Sequence, residues 1–447
     1  MTPELIARYD QRVPRYTSYP TAPHFKPEVG ADTYAKWLAE LSPRTALSLY
    51  LHVPFCAELC LYCGCHTTVA RSYSPVASYV ELLEQEIELV AQQLPERMDV
   101  THIHWGGGTP TILSGADLRR IMGLLERSFG ISSTAEIAVE IDPRTLTLEH
   151  VNALAASGLN RASLGVQDFD PKVQKTINRI QSFEQTAKVA DWLRNAGVTG
   201  LNLDLMYGLP YQTTESVLRT VEQALQLDPD RIALFGYAHV PWMKRHQALL
   251  PEETMPDAIE RVEQNTAAAA ALVEAGYVQI GLDHFAKPSD PMVAQQREGR
   301  LHRNFQGYTT DEATALIGFG TSAIGSLPQG YVQNASSTVA YREAITKGQL
   351  ATVRGIVLTD DDRLRRSIIE RLMCDFSVDL RGITPDEAAS TFAGELAAID
   401  DMARDGLVKR KGLSIQIPEE SHLLVRNVCA AFDRYLENGA ARHSRAV

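Results

Sequence analysis

Long apolar runs are missing from this sequence. No stretch of its 447 residues approaches the roughly 20 that a membrane-spanning helix needs, so no membrane span is expected. The opening MTPELIARYDQRVPRY lacks an apolar signal core, and a cytoplasmic location is expected. Positive charge is in deficit, with 43 Lys and Arg against 55 Asp and Glu and a net charge of −12. That argues against a nucleic-acid partner, which asks for a basic surface. It leaves room for an anionic small molecule, because a few cations in a pocket dominate locally. Cysteine is scarce, at six residues, which excludes a disulfide-scaffold protein. Internal repeats and low-complexity tracts are absent as well. What is present is ordinary for a folded chain: 45% hydrophobic and 22% charged residues, enough for a sizeable core and incompatible with a mainly disordered state.

From residue 46 short β-branched or apolar runs alternate with longer amphipathic stretches. Strands are predicted at Ala46–Val53, His102–Trp105, Glu136–Ile141, Ala162–Val166, Leu201–Met206 and Arg231–Tyr237. Helices are predicted near 76–94, 116–128, 148–156, 183–196, 214–226 and 257–275. This alternation implies βα units and a parallel sheet. Six such units imply an incomplete α/β barrel, whose chemistry sits at the C-terminal ends of its strands. The expected division is an N-terminal arm over 1–44, the barrel over 45–325, a connection over 326–357 and a small, mainly helical, winged-helix-like domain over 358–447. In that last part helices are predicted over Arg363–Asp375, Pro385–Asp405 and about 419–437, with a hairpin between 406 and 417. Two prolines bracket Pro14–Thr21, so this stretch is read as an extended arm packed over a site.

Each predicted strand runs into an unusual segment. The first is followed by Cys56, Cys60, Cys63 and Cys65, and the second by Gly106, Gly107, Gly108 and Thr109. The third ends in Glu140-Ile141-Asp142-Pro143-Arg144, and the fourth reaches Gln167 and Asp168. The fifth carries Asn202 and Asp204, and the sixth ends in Tyr237-Ala238-His239. Six coincidences on one face indicate a site. Three thiolates spaced as Cys56, Cys60 and Cys63 can hold an iron–sulfur cluster with one iron left open. Zinc is the alternative, since His66 could complete a Cys3His site. Polar residues at five other strand ends favour the cluster, because a structural zinc loop does not require them. The glycine run lets backbone approach a ligand closely, and Glu140 could accept from ribose hydroxyls or an amino group. Cys374 and Cys429 sit alone among apolar neighbours and are read as small buried hydrophobes.

Together these segments resemble the radical S-adenosylmethionine enzymes, and more narrowly the oxygen-independent coproporphyrinogen III oxidase family of bacterial haem biosynthesis. The resemblance runs along nearly the whole chain: PRYTSYPT at 14–21, YLHVPFCAELCLYCGC at 50–65, HWGGGTPT at 104–111, EIDPR at 140–144, GVQDF at 165–169, NLDLMYGLP at 202–210, YAHVP at 237–241 and HRNFQGYTT at 302–310. It implies an incomplete (β/α)6-type radical SAM barrel with Cys56, Cys60 and Cys63 as ligands of a [4Fe–4S] cluster. Cys65 is not a ligand in such proteins. It also implies two molecules of S-adenosylmethionine, the first held by Tyr50, Gly107, Glu140 and Ile324. The second would draw on Tyr62, Gly108, Thr109, Gln167, Arg179, Asp204 and Ala238, with Tyr62 standing where the family has Phe.

The implied reaction is the oxidative decarboxylation of two propionate side chains of coproporphyrinogen III to vinyl groups, giving protoporphyrinogen IX through a 5′-deoxyadenosyl radical. It requires an external one-electron donor and a terminal electron acceptor, and no catalytic side chain beyond the cluster and the cofactor radical. A monomer is expected. The substrate's four carboxylates ask for cations, for which Arg15, Arg179, His302 and Arg303 are the candidates. The arm would close the mouth and keep solvent from the radical.

Overall fold

Leu47, Leu49 and Leu51 are buried, and the residues between them are buried or half-buried, as in a strand covered on both faces. In the computed structural model, which describes residues 2–384, 388–436 and 443–446, this strand begins a regular alternation. It runs β1 (Leu47–Val53), α1 (Ser74–Gln93), β2 (Asp99–Gly107), α2 (Gly115–Ser128), β3 (Gly130–Ile141), α3 (Leu148–Ala156) and β4 (Arg161–Gln167). It continues with α4 (Phe183–Asn195), β5 (Gly200–Tyr207), α5 (Thr214–Gln226), β6 (Arg231–Gly236) and α6 (Ala258–Glu274). Helices start where the sequence supplies caps. The Ser114 hydroxyl accepts from Asp117 N ahead of α2, and Thr213 and Asp257 form reciprocal boxes with Ser216 and Glu260 ahead of α5 and α6.

Strands β1 to β6 lie side by side in chain order and run parallel, as consecutive βα units dictate. Six shorter strands extend the sheet: β7 (Val278–Ile280), β8 (His284–Ala286), β9 (Ala315–Phe319), β10 (Ile324–Leu327), β11 (Gly330–Asn334) and β12 (Thr352–Val357). The order is β12-β11-β10-β9-β1-β2-β3-β4-β5-β6-β8-β7. β9 joins β1 in parallel, with Leu49 opposite Ile317, and the outer strands run antiparallel. The two edge strands do not pair with each other among the described residues, so the barrel is incomplete, as expected. Its interior holds a cavity of about 190 Å³ lined by Tyr50, His104, Glu140, Asp204 and His284 among others. The main core lies between sheet and helices, with Trp105, Phe129 and Phe319 buried in it.

Three stretches differ from expectation. Residues 326–357, read as a connection, hold β11, β12, part of β10 and a helix over Thr338–Thr346. Gly330 and Gly355 interrupt the strand pattern there because backbones come close: a Cβ at either would collide with Ile356 O or Tyr331 O. Pro14–Thr21 holds no helix, as expected, and the rest of the arm holds helices over Pro3–Tyr9 and Ala31–Ala39. Its Tyr16 and Tyr19 do not stand at the mouth. They are buried with Ile6, Tyr9 and Val13 in a second core, shared with Ile368, Leu372, Phe392 and Phe432. Tyr16 OH donates to Asp433 Oδ2 at 3.0 Å, and Tyr19 OH accepts from Arg434 N at 3.1 Å. Large aromatic rings gain more from such a core than from a solvated flap.

In the C-terminal region a helix over Asp360–Asp375 leads into a three-stranded sheet of Ser377–Asp379, Ser414–Gln416 and Lys409–Lys411. The helix predicted over Pro385–Asp405 is split at Phe392 into Ala388–Thr391 and Ala393–Arg404, and residues 385–387 lie outside the described residues. The helix predicted to about 437 instead ends at Ala430, after a 3-10 turn over Glu419–Leu424; residue 437 lies outside the described residues. Cys374 and Cys429 are fully buried. Among the described residues no helix is long and apolar enough to cross a membrane.

Candidate active site

β1 ends at Val53 and the chain turns across the mouth of the barrel, carrying Cys56, Cys60 and Cys63. The loop after β2 lies directly on it. Gly108 N and Thr109 N donate to Val53 O and Phe55 O, each at 2.8 Å. Gly107 has φ +109°, and a Cβ there would sit 2.6 Å from the His52 ring. A Cβ at Gly108 would sit 2.6 Å from Phe55 O. Only glycine permits this layering of backbone on backbone.

Donors converge on the sulfurs. Thr109 Oγ1 lies 3.5 Å from Cys56 Sγ, and Arg144 Nη2 and Arg179 Nη1 lie 3.4 and 3.6 Å from Cys60 Sγ. Cys65 N donates to Cys63 Sγ at 3.4 Å. Hydrogen bonds from Cys65 draw the Cys63 thiol down to about 6, whereas burial pushes the Cys56 thiol up to about 11. N–H and O–H donors around three thiols on one loop suit an anionic iron–sulfur cluster. Among the described residues no three His, Cys, Asp or Glu side chains converge on the position of a single ion. His66 Nε2 instead donates to Ser336 O at 2.6 Å. A closed Cys3His zinc site therefore lacks its geometry, while a cubane takes its thiolates at separate corners. The residues present fit a [4Fe–4S] cluster.

Beside the loop, Glu140 ends β3 and faces the cavity. Its Oε2 accepts from Gly107 N and its Oε1 from His104 Nε2, both at 3.2 Å. The Tyr50 ring stacks on His104 at 5.9 Å between centroids, and its hydroxyl lies 3.0 Å from His52 Nδ1. Tyr50, Gly107 and Glu140 thus form one wall. Ile324 starts β10, two strands away from β1, and packs toward Phe25 and Tyr331. Asp204 accepts from Ser163 Oγ at 3.0 Å and from Asn202 Nδ2 at 2.8 Å. Burial, with Glu140 nearby, pushes its carboxyl up to about 6. Gln167 closes β4 at φ +69°, and Ala238 lies just beyond β6.

Tyr62 is close enough to Arg179 for the two to perturb each other. Arg179 places Nη1 and Nη2 3.3 Å from the two oxygens of Asp142, and its Nε has no partner among the described residues. Asp142 is buried, yet the hydrogen bonds of Arg144 and the charge of Arg179 hold its carboxyl below the usual range. Arg144 was not among the predicted site residues. Its place in EIDPR, directly after the β3 end, was the available signal.

Of the substrate candidates, Arg15 reaches the mouth, with Nη2 3.5 Å from Gly236 O. Arg303 lies over the Tyr308 ring at 4.4 Å, with Nη1 3.9 Å from Asp283 Oδ1. His302, the preceding residue, is engaged elsewhere: its Nδ1 lies 3.1 Å from Glu370 Oε1. Two arginines that no motif marks stand nearby. Arg261 of α6 donates from Nη2 to Tyr237 O at 2.9 Å, and Arg426 donates from Nη1 to Val13 O at 3.3 Å.

Residues 50–224 match the model of the radical SAM superfamily. The chain is 54% identical to the oxygen-independent coproporphyrinogen III oxidase of Bradyrhizobium diazoefficiens over 450 residues, covering 100% of both chains. It is 42% identical to the protein of the same name from Paracoccus denitrificans, covering 99% of this chain and 98% of that one. Among solved structures it is similar to coproporphyrinogen III oxidase (HemN) from Escherichia coli, described as a radical SAM enzyme. That match has a TM-score of 0.90 and 39% identity, and it covers 95% of this chain and 100% of the other.

Proposed function

This chain belongs to the oxygen-independent coproporphyrinogen III oxidase family of the radical S-adenosylmethionine superfamily, and from that premise we propose that it converts two propionate side chains of coproporphyrinogen III to vinyl groups, giving protoporphyrinogen IX for haem biosynthesis. The observation that carries the reading is the three-cysteine loop laid against glycine backbone, with Glu140 at the neighbouring strand end.

Cys56, Cys60 and Cys63 would anchor the cluster. Tyr50, Gly107, Glu140 and Ile324 would hold one S-adenosylmethionine, with Glu140 accepting from its hydroxyls or ammonium. Tyr62, Gly108, Thr109, Gln167, Arg179, Asp204 and Ala238 would hold a second, and the unpaired Nε of Arg179 offers a donor to its carboxylate. When bound, cluster and cofactor supply a carbon-centred 5′-deoxyadenosyl radical able to take hydrogen from an unactivated propionate carbon. Thr109, Arg144 and Arg179 direct donors at the cysteine sulfurs, which favours the anionic, thiolate-ligated state. Tyr50 and His104 present ring faces along the wall that Glu140 shares. An external one-electron donor and a terminal acceptor complete the electron balance, and we place the reaction in the cytoplasm, carried out by a monomer.

The test is anaerobic reconstitution followed by chromatography of the porphyrinogen products. Wild-type protein and Cys374→Ser should carry iron and sulfide and form the dicarboxylate product. Cys56→Ser, Cys60→Ser and Cys63→Ser should each lose the cluster and all conversion. An intact cluster in any of those three contradicts the ligand assignment. A fully loaded wild-type protein that leaves coproporphyrinogen III unchanged contradicts the function.

A further inference from the structure

Buried charge is normally met by opposite charge. At one place beside the barrel mouth it is met only in part. Arg15 comes from the N-terminal arm, Arg303 from the hairpin of His302–Asn304 and Gly307–Thr309, and Arg426 from the helix Val425–Ala430. Arg261 of α6 flanks them: its guanidinium lies over the Tyr207 ring at 5.7 Å and fills the space where a Cβ on Gly208 would be. The anion that Arg15, Arg303 and Arg426 all feel is Asp283. That carboxylate is already engaged by His284 Nδ1 at 2.7 Å and approaches Arg303 only to 3.9 Å.

Part of the donor capacity is unspent, although Arg426 already donates to Val13 O, Arg445 O and Ala446 O. Among the described residues Arg303 Nε and Nη1, Arg426 Nε and Arg261 Nε are buried without a hydrogen-bond partner. The side chain of Arg303 is 7% exposed and Arg426 is 8% exposed. Arg15, by contrast, is exposed at the mouth. Burial and the neighbouring cations pull Arg426 below the ordinary arginine value, to about 10. Guanidinium groups that converge from four segments, with unmade hydrogen bonds and one shared carboxylate, match a polycarboxylate ligand.

We propose that Arg15, Arg303 and Arg426, flanked by Arg261, form a cradle for the propionate side chains that the reaction leaves intact. The proposal rests on the reading above that the substrate is a tetracarboxylate porphyrinogen. The choice of propionate follows from the chemistry. A carboxylate about to leave as neutral carbon dioxide loses its ion pairs on the way, so a strong cationic clamp would hold its ground state better than its transition state. The carboxylates that persist from substrate to product carry no such penalty. The cradle is thus a positioning device: gripping two retained propionates turns the others toward the cysteine side of the mouth.

The experiment measures anaerobic equilibrium binding to the reconstituted holoenzyme for three probes: coproporphyrinogen III, protoporphyrinogen IX and the uncharged tetramethyl ester of coproporphyrinogen III. Arg303→Gln should weaken both free acids by about ten- to a hundredfold and leave the ester unchanged. Its cluster content should match the wild type. Unchanged affinity for the acids overturns the cradle, and so does an equal loss for acids and ester. A loss for coproporphyrinogen III alone would assign these arginines to the reacting propionates and overturn the proposal as stated. Should Arg303→Gln fold poorly, Arg15→Gln at the exposed position gives the same discrimination. Turnover by the wild type is a separate readout: turnover with unaltered binding in the variants rejects the cradle alone, and binding of the acids without turnover rejects the reaction alone.

Discussion

Two groups of arginines flank the barrel mouth, and they differ in how their charge is met. On the cysteine side Arg144 and Arg179 close around Asp142, with Arg144 Nη2 at 2.7 Å and both terminal nitrogens of Arg179 at 3.3 Å. Arg144 also reaches Glu58 at 3.4 Å, and Arg179 donates to Gly165 O. On the opposite side three arginines share Asp283, which His284 already holds. The first group is met by Asp142 within the folded state, with Arg179 Nε the one donor of the pair left without a partner among the described residues. The second carries a cost that a ligand would relieve. Paired charge marks what builds a site, and unpaired charge marks what the site is built for.

The largest expected effect comes from removing one member of the under-paired group together with its support. Deleting residues 1–22 takes away Arg15, but it also strips Ile6, Tyr9, Val13, Tyr16 and Tyr19 from the second core. At roughly 1.5–3 kcal/mol for each buried side chain, the loss is on the order of 10 kcal/mol. The C-terminal region should then unfold or become protease-sensitive, as thermal melting and limited proteolysis would register. A truncated protein as stable as the full chain would mean that the arm packs only loosely.

Next in size is the paired group. Asp142→Asn leaves Arg144 and Arg179 without their carboxylate beside Cys60, and breaking one side of a buried pair costs about 3–5 kcal/mol. Denaturant unfolding should report that loss, and iron content after reconstitution should fall with it. If stability and iron content are both retained, the contrast between the two groups disappears.

A buried carboxylate with no cation sharpens the comparison from the other sign. Glu86 on α1 accepts from Gly320 N and Asn334 Nδ2 at 2.6 Å and from Tyr341 OH at 2.8 Å, and burial pushes it up to about 7 from 4.5. Its folded value lies above its unfolded value, so the native state favours the protonated form. The stability it contributes is full below about pH 4.5 and is lost as the pH rises through about 7. At 1.36 kcal/mol per unit the full loss is about 3–4 kcal/mol. Urea unfolding should show the wild type weaker at pH 8 than at pH 5, with that difference reduced in Glu86→Gln. Equal pH dependence in both proteins would assign it to other groups.

The smallest effect concerns Glu140, which is partly exposed to the cavity and bonded to Gly107 N and His104. Glu140→Ala should keep the cluster and weaken S-adenosylmethionine binding by about ten- to a hundredfold, the worth of charge-assisted bonds of roughly 1.5–3 kcal/mol. Titration of the reconstituted variant decides it, and unchanged affinity would leave Glu140 a structural strand end.

The cysteine side was legible in the sequence because each of its parts is contiguous. Cys56 to Cys63, Gly106 to Thr109 and Glu140 to Arg144 each occupy one loop at one strand end, so chain order and spatial order coincide. The strands β1 to β6 were legible for a related reason: each is a short apolar or alternating run, such as Leu201-Asn202-Leu203-Asp204-Leu205, set between longer amphipathic stretches. The arginine side was half hidden. Arg15 and Arg303 stand in recognisable segments, but Arg261 lies on an outer helix and Arg426 in the second core, and only the tertiary fold brings them together. The place of Tyr16 in the second core, not at the mouth, was hidden because its partner, Asp433, is 417 positions away. The outer strands over 324–357 escaped notice because their glycines serve close backbone contacts and break the apolar pattern.

The most direct measurement of the central claim is the coupling ratio in a single anaerobic reaction of the reconstituted wild-type protein with coproporphyrinogen III. Carbon dioxide, 5′-deoxyadenosine and vinyl groups are counted together. The expected result is one carbon dioxide and one 5′-deoxyadenosine for each vinyl group, and two vinyl groups for each fully converted porphyrinogen. Reductive cleavage of S-adenosylmethionine that proceeds while all four carboxylates survive would contradict it.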